Sequence, residues 1–344
     1  TVARRECSAL RGAAMSTGQA RQATASLPTL DEVRAAAELV YRLMLPTPQY
    51  CWPLLCERLG TEVWVKHENH TPIGAFKART AIVYAEELLK REPGTRGLIA
   101  ATRGNHGQSV ALAAQRKKLE CVIVVPHGNS VTKNAAMHAQ GAKLIEHGDD
   151  FQSSLEHARK LATELGYHLV PPYHRNIVLG IATYWLELFT AVPEIDVAYV
   201  PIGMGSGICS AAAVRNALGL KTKLVGVVSD QAPTYALSFQ QKKVVEAPAT
   251  TKLADGLACR LGNEEALEIM LENVDHVLRV TDDEVAAAMR ALFTDTHNVV
   301  EGAGAAALAA ATKESSTLKG KRIALIATGG NVDQSVFAQV LGAA

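Results

Sequence analysis

From Thr61 onward, short apolar runs alternate with longer stretches whose apolar residues recur at helical spacing. The run "EVWVKHEN" leads into "AFKARTAIVYAEELLKR", and "GLIAAT" leads into a helix expected from about Gly107. "CVIVVP" precedes "SVTKNAAMHAQG", and "AKLIEHG" precedes "DDFQSSLEHARKLATELG". The pattern continues through "HLVPP", a helix through "GIATYWLELFTAV", then "VAYVPIG", "SGICSAAAVRNALG", "KLVGVVS" and a last strand, "RIALIATGG". Strands separated by helices of this length need right-handed crossovers and therefore pair in parallel. The expected fold is α/β, two lobes of parallel-rich sheet flanked by helices. Ligands in such folds bind in the cleft beyond the carboxyl ends of the strands.

The totals narrow this picture. A chain of 344 residues is long enough for two lobes, and 48% apolar with 20% charged residues is globular composition. A net charge of +1 calls for neither nucleic acid nor an anionic membrane surface. The longest apolar runs fall far short of the ~20 residues of a membrane span. Cys7, Cys51, Cys56, Cys121, Cys209 and Cys259 show no CxxC pairing and read as reduced thiols, hence a cytoplasmic setting. Residues 1–26 carry four arginines and one acid with no secretory apolar run. They are expected to be a disordered extension ahead of a catalytic unit over 27–344, with a small lobe at roughly 62–175 and no regulatory domain.

Two glycine-rich loops follow predicted strands. "GMGSG", Gly203 to Gly207, opens a helix, where free N–H groups and the helix dipole favour an anion. Ile208 stands where a dinucleotide fingerprint needs its third glycine, and no Walker motif is present, so the anion belongs to neither NAD nor ATP. "ATRGNHGQS" brings Thr102, Asn105, His106 and Gln108 to one strand end, more polar groups than a helix cap needs. "ATGGNVD" closes the last strand with Thr328 and two glycines. Lys77 in "PIGAFKARTA", taken alone, reads as an exposed helix lysine. Together with an anion cradle and a polar cleft it becomes a Schiff-base amine, and pyridoxal phosphate becomes the implied cofactor.

In this order the stretches resemble the fold-type II pyridoxal-phosphate enzymes, of the tryptophan synthase β-like architecture. Within these, the chain is similar to the serine/threonine dehydratase family that also contains serine racemase, above all to short, single-unit threonine dehydratases. The resemblance runs from about Leu27 to Leu341. It implies Lys77 as the Schiff-base residue with Phe76 beside the ring, Asn105 on the ring's 3′-oxygen, and Thr328 at the pyridine nitrogen. It also implies Gly203, Met204, Gly205, Ser206 and Gly207 as the phosphate loop, Thr102 and His106 on the substrate carboxylate, and a homodimer. Glu301 in "VEGAGA" is a further possible site residue, although Gly302 stands where the family often has proline. "LADGLA" matches a family motif past mid-chain.

Departures sharpen the expectation. Arg103 replaces the serine that serves racemases as acid and base, and a guanidinium is a poor proton relay. Racemisation is therefore not expected, and Arg103 either contacts a substrate or faces solvent. Ser229 stands where racemase-like members place an acidic metal ligand, and no metal is expected. His67 and His70 around Glu68 fall on different faces if the strand continues through them. The activity the resemblance implies is β-elimination of water from a β-hydroxy amino acid, first L-threonine, giving a 2-oxo acid and ammonia. Phenylserine, hydroxyaspartate or serine as substrate, a β-replacement synthase, and a non-catalytic pyridoxal-phosphate-binding protein are the alternatives.

Overall fold

The computed structural model describes residues 26–343, so the expectation for the N-terminal extension falls almost wholly outside the described residues. Among the described residues, ten strands form two sheets. The first comprises β1 (Gln49–Cys51), β2 (Glu62–His67), β7 (Val197–Pro201), β8 (Lys223–Ser229), β9 (His276–Val280) and β10 (Arg322–Ala327), in spatial order β1-β2-β10-β7-β8-β9. The second comprises β3 (Gly97–Ala101), β4 (Glu120–Val125), β5 (Lys143–Glu146) and β6 (His168–Leu169), in order β5-β4-β3-β6. Every pairing is parallel except β1 with β2.

The apolar runs become strands because parallel strands covered by helices on both faces bury every side chain. β3 and β7 are buried throughout, and β4 and β10 are buried after their first residue. Residues 62–67 fall inside the expected small-lobe boundary, yet β2 pairs with β10 in the six-stranded sheet, from Glu62↔Arg322 to His67↔Ala327. Hydrophobic periodicity says which segments are strands but not which distant strand each will adjoin.

Helices flank both sheets. The helix Phe151–Leu165 shows the local logic: Asp150 caps it by accepting from the Ser153 N–H at 2.8 Å, and Gly166 ends it in the left-handed region at φ +64°. The helix Lys77–Arg91 packs along the helix Arg175–Ala191. Their approach is close enough that a Cβ at Gly180 would stand 2.6 Å from the Arg79 carbonyl oxygen. Leu88 is fully buried in this region, a transfer worth about 1.5–3 kcal/mol.

An ion cluster lies beneath that helix pair. Arg79, fully buried, donates to Glu68 at 2.8 and 3.0 Å and to Glu187 at 2.6 and 2.9 Å. Lys66, also fully buried, donates to Glu187 at 2.6 Å, so two cations meet two carboxylates. Burial alone would lower the Arg79 guanidinium, and the two carboxylates hold it above its ordinary value. Thr183 accepts from Arg79 at 2.9 Å and is fully buried, which makes it part of this cluster.

Candidate active site

Four loops come together where strands of both sheets end. The lysine loop enters from β2, and Thr71 clamps it by donating to the Ala75 carbonyl at 2.7 Å and accepting the Ala75 N–H at 2.9 Å. A short antiparallel bridge then joins it to the loop after β10: the Phe76 N–H donates to the Thr328 carbonyl and the Gly330 N–H to the Gly74 carbonyl, each at 2.9 Å. The lysine helix begins at Lys77 itself, so its side chain is held one residue from that bridge. Lys77 Nζ has no hydrogen-bond or ion-pair partner among the described residues and lies 5.1 Å from the centre of the Phe76 ring. Burial lowers its pKa to about 8, against an ordinary 10.5. Phe76 is itself wedged edge-on against Tyr184, with ring centres 6.3 Å apart.

The second loop follows β3. Its helix starts at Asn105, two residues before the expected Gly107, because the Thr102 hydroxyl accepts the Gly104 N–H at 3.0 Å and turns the chain early. Gly107 is pinned inside the helix, where a Cβ would stand 2.4 Å from Met137 Sδ and 2.5 Å from Thr102 Cγ2. Asn105 Nδ2 donates to Glu301 Oε1 at 2.7 Å. Neither ring nitrogen of His106 has a partner among the described residues, and burial together with the Lys77 charge drives its pKa to about 3. His106 is therefore a neutral imidazole. Arg103 is exposed and carries no hydrogen bond or ion pair among the described residues.

Glu301 precedes the helix Gly302–Lys313 and is almost completely buried, with Oε2 unpartnered among the described residues. Burial raises its pKa to about 7; Lys133 pulls it down and Asp255 pushes it up. Gly302, the departure from proline, has a steric reason: a Cβ there would lie 2.1 Å from the Leu253 carbonyl oxygen. That oxygen belongs to the "LADGLA" stretch, whose Asp255 accepts from Lys133 at 2.5 Å. Ser130 donates to Asp333 at 2.7 Å nearby, so the helix Val131–Ala139 is tied to the large sheet's loops at two points.

The third loop, Gly203 to Gly207, opens the helix Ser206–Ala217, which no side chain caps. Gly205 takes φ +92°, and a Cβ at Gly203 would stand 2.4 Å from the Gly256 carbonyl oxygen. Met204 offers its carbonyl to the Tyr235 hydroxyl at 2.8 Å, and Ser206 is buried at the helix start. Uncapped N–H groups at a buried helix start make an anion cradle. Thr328 is buried, and its hydroxyl forms no hydrogen bond among the described residues.

These features fit pyridoxal phosphate. A partnerless amine of lowered pKa, an uncapped helix start behind glycines, and orphaned polar atoms on His106 and Glu301 are the demands of a Schiff-base lysine, a phosphate and a polar ring. Sequence reasoning passed over Thr71, Tyr184 as the support for Phe76, and Asn331, which donates to Asn105 Oδ1 at 2.8 Å. His67 and His70 do come together, stacked at 5.0 Å, because β2 ends at His67; the Trp52 indole N–H donates to His67 Nε2 at 2.9 Å.

Comparison with known proteins agrees. The chain is 31% identical to the L-threo-3-hydroxyaspartate ammonia-lyase of Saccharomyces cerevisiae, over 92% of this chain and 97% of that one. It is 32% identical to a threonine dehydratase of Nicotiana attenuata over 88% of its residues, spanning about half (51%) of that relative's length. The processed threonine deaminase isoform 2 of Solanum lycopersicum superposes with a TM-score of 0.83 at 29% identity, covering 92% of this chain and 94% of that one. Residues 40–329 match the family model described as "Pyridoxal-phosphate dependent enzyme", and the chain belongs to that family.

Proposed function

We propose that the chain is an ammonia-lyase that eliminates water from a β-hydroxy amino acid, with L-threonine giving 2-oxobutanoate and ammonia. The observation that carries it is Lys77: a partnerless amine brought to a pKa of about 8 by burial, held beside Thr328 by the bridge through Phe76. Bound pyridoxal phosphate supplies the carbonyl that captures the substrate amine and a ring that draws electron density from Cα. Lys77 holds the cofactor at rest and, once free, takes the proton from substrate Cα; a lowered pKa keeps enough of it neutral to do so. Gly203, Met204, Gly205, Ser206 and Gly207 hold the phosphate. Asn105 faces the ring oxygen, Thr328 offers a hydroxyl to the ring nitrogen, and Thr102 and His106 receive the substrate carboxylate. A neutral hydroxyl at that nitrogen leaves the ring a modest electron sink, which favours loss of the β-substituent over transamination.

The yeast relative's printed activity favours a second substrate, 3-hydroxyaspartate, and Arg103, exposed beside the substrate loop, has the charge to receive its extra carboxylate. A reducing, cytoplasmic setting is supported by the free thiols of Cys51, Cys56, Cys121, Cys209 and Cys259; no described helix is long and apolar enough to cross a membrane. A homodimer is supported by the exposed apolar side chains of Leu45, Tyr50 and Leu54 near the N-terminal edge of the large sheet. The test is release of 2-oxo acid and ammonia from L-threonine, L-serine, L-threo-phenylserine and threo-3-hydroxyaspartate in parallel, with Lys77→Ala as control. A cofactor-loaded protein inert toward all four would sink the assignment.

A further inference from the structure

One amide spans all three elements of the site outside the phosphate loop. Asn331 Nδ2 donates to the Ile73 carbonyl in the lysine loop and to Asn105 Oδ1 in the substrate loop, each at 2.8 Å, while Asn331 itself follows β10. It lies close against the lysine loop: a Cβ at Gly74, which takes φ +65°, would stand 2.9 Å from Asn331 Oδ1. On the far side of Asn105, Glu301 Oε1 accepts from Nδ2 at 2.7 Å.

The direction of this chain is fixed at one end. A backbone carbonyl can only accept, so the group Asn331 turns toward Ile73 must be its NH2. The same NH2 then faces Asn105, which must answer with Oδ1. That leaves the Asn105 NH2 toward Glu301, which accepts one hydrogen and leaves the other uncommitted. The two ends of an asparagine side chain are nearly equal in shape and opposite in hydrogen bonding, so a flip costs contacts at both neighbours at once. We propose that Asn331, with Glu301, is a positioning residue that sets the amide orientation of Asn105, and so decides that Asn105 presents a donor to the cofactor ring.

This rests on the reading that Asn105 faces the ring, and the experiment separates the two. Asn69 is the internal control, because it ties the same lysine loop to the Val299 carbonyl at 3.2 Å without reaching Asn105. Four variants, Asn331→Asp, Asn331→Ala, Asn105→Ala and Asn69→Ala, are stripped of cofactor and titrated with pyridoxal phosphate. The dissociation constant, the pH midpoint of the visible band and the melting temperature are recorded for each. Asn331→Asp sets a carboxylate oxygen against both Ile73 O and Asn105 Oδ1. It should weaken cofactor binding by about tenfold, the scale of one unsatisfied buried polar group, and shift the midpoint.

Asn331→Ala should do the same more mildly, and Asn69→Ala should lower the melting temperature alone. The double variant Asn105→Ala/Asn331→Asp should bind no worse than Asn105→Ala, since the two act through one amide. If Asn331→Asp does not fold, Asn331→Ala carries the same comparison. Wild-type affinity and midpoint in the Asn331 variants, beside altered values in Asn105→Ala, would overturn the positioning role. Unchanged values in Asn105→Ala itself would overturn the reading of Asn105, and the inference with it.

Discussion

Replacing Glu301 by glutamine should stabilise the cofactor-free protein, and more so as pH rises. The carboxyl has an ordinary pKa of 4.5 and is raised to about 7 in the fold by burial, with one oxygen bonded to Asn105 and the other unpartnered. A carboxyl whose folded pKa is raised binds its proton more tightly when folded. Its contribution is therefore fully present below the unfolded pKa and is lost as pH climbs through the folded one. The gap of roughly 2.5 pH units amounts to about 3 kcal/mol at full ionisation, of which about 2 kcal/mol falls between about pH 5.5 and about pH 8. Glutamine keeps an acceptor for Asn105 Nδ2 and removes the titration. Urea unfolding of wild type and Glu301→Gln at those two pH values isolates the group, because all other titrations are shared. The variant's advantage should grow by about 2 kcal/mol from the lower to the higher pH. An advantage that is constant with pH, or that shrinks, would show that Lys133 holds Glu301 ionised throughout and would refute the reasoning.

Three further outcomes are expected. In the cofactor-free protein the rate of pyridoxal-phosphate capture should rise with a midpoint near pH 8, the pKa to which burial brings Lys77, and borohydride reduction followed by peptide mapping should place the label on Lys77; a midpoint above 10 would contradict the burial argument. Gly107→Ala should cost about 1–3 kcal/mol by overpacking against Met137 and Thr102, read as a lower melting temperature, and an unaltered melt would mean the helix start can shift. Arg79→Met should cost about 3–5 kcal/mol in unfolding free energy, because Glu68 is left buried without its cation, and a loss below 1 kcal/mol would show that the cluster neutralises itself by taking up a proton.

The strands at the heart of both sheets were legible because parallel strands are apolar on both faces: "KLVGVVS" corresponds residue for residue to β8. The candidate-site loops were placed by local sequence, because Lys77, Asn105, Thr328 and the Gly203–Gly207 segment each sit at a strand end or helix start. What was not legible depends on distant partners. Arg79 finds Glu187 across 108 positions, and Asn105 finds Asn331 across 226. The one local hint for Arg79 was a charged residue in a helix whose other buried positions are alanine, threonine, valine, tyrosine and leucine.

The order of strands also bears on how the protein comes off the ribosome. The four-stranded sheet closes within residues 97–169, a contiguous piece of nascent chain, whereas β10, made after the other described strands of its sheet, inserts between β2 and β7 at the middle of the larger sheet. Until β10 emerges, β2 and β7 keep open edges of the kind that recruit foreign strands. The bridge that seats Phe76, and with it Lys77, also waits for the Thr328 carbonyl. Lys77 is therefore put in place only after the segment following β10 has been made, and a chain cut short before Arg322 would keep the four-stranded sheet but lack the bridge that seats Lys77.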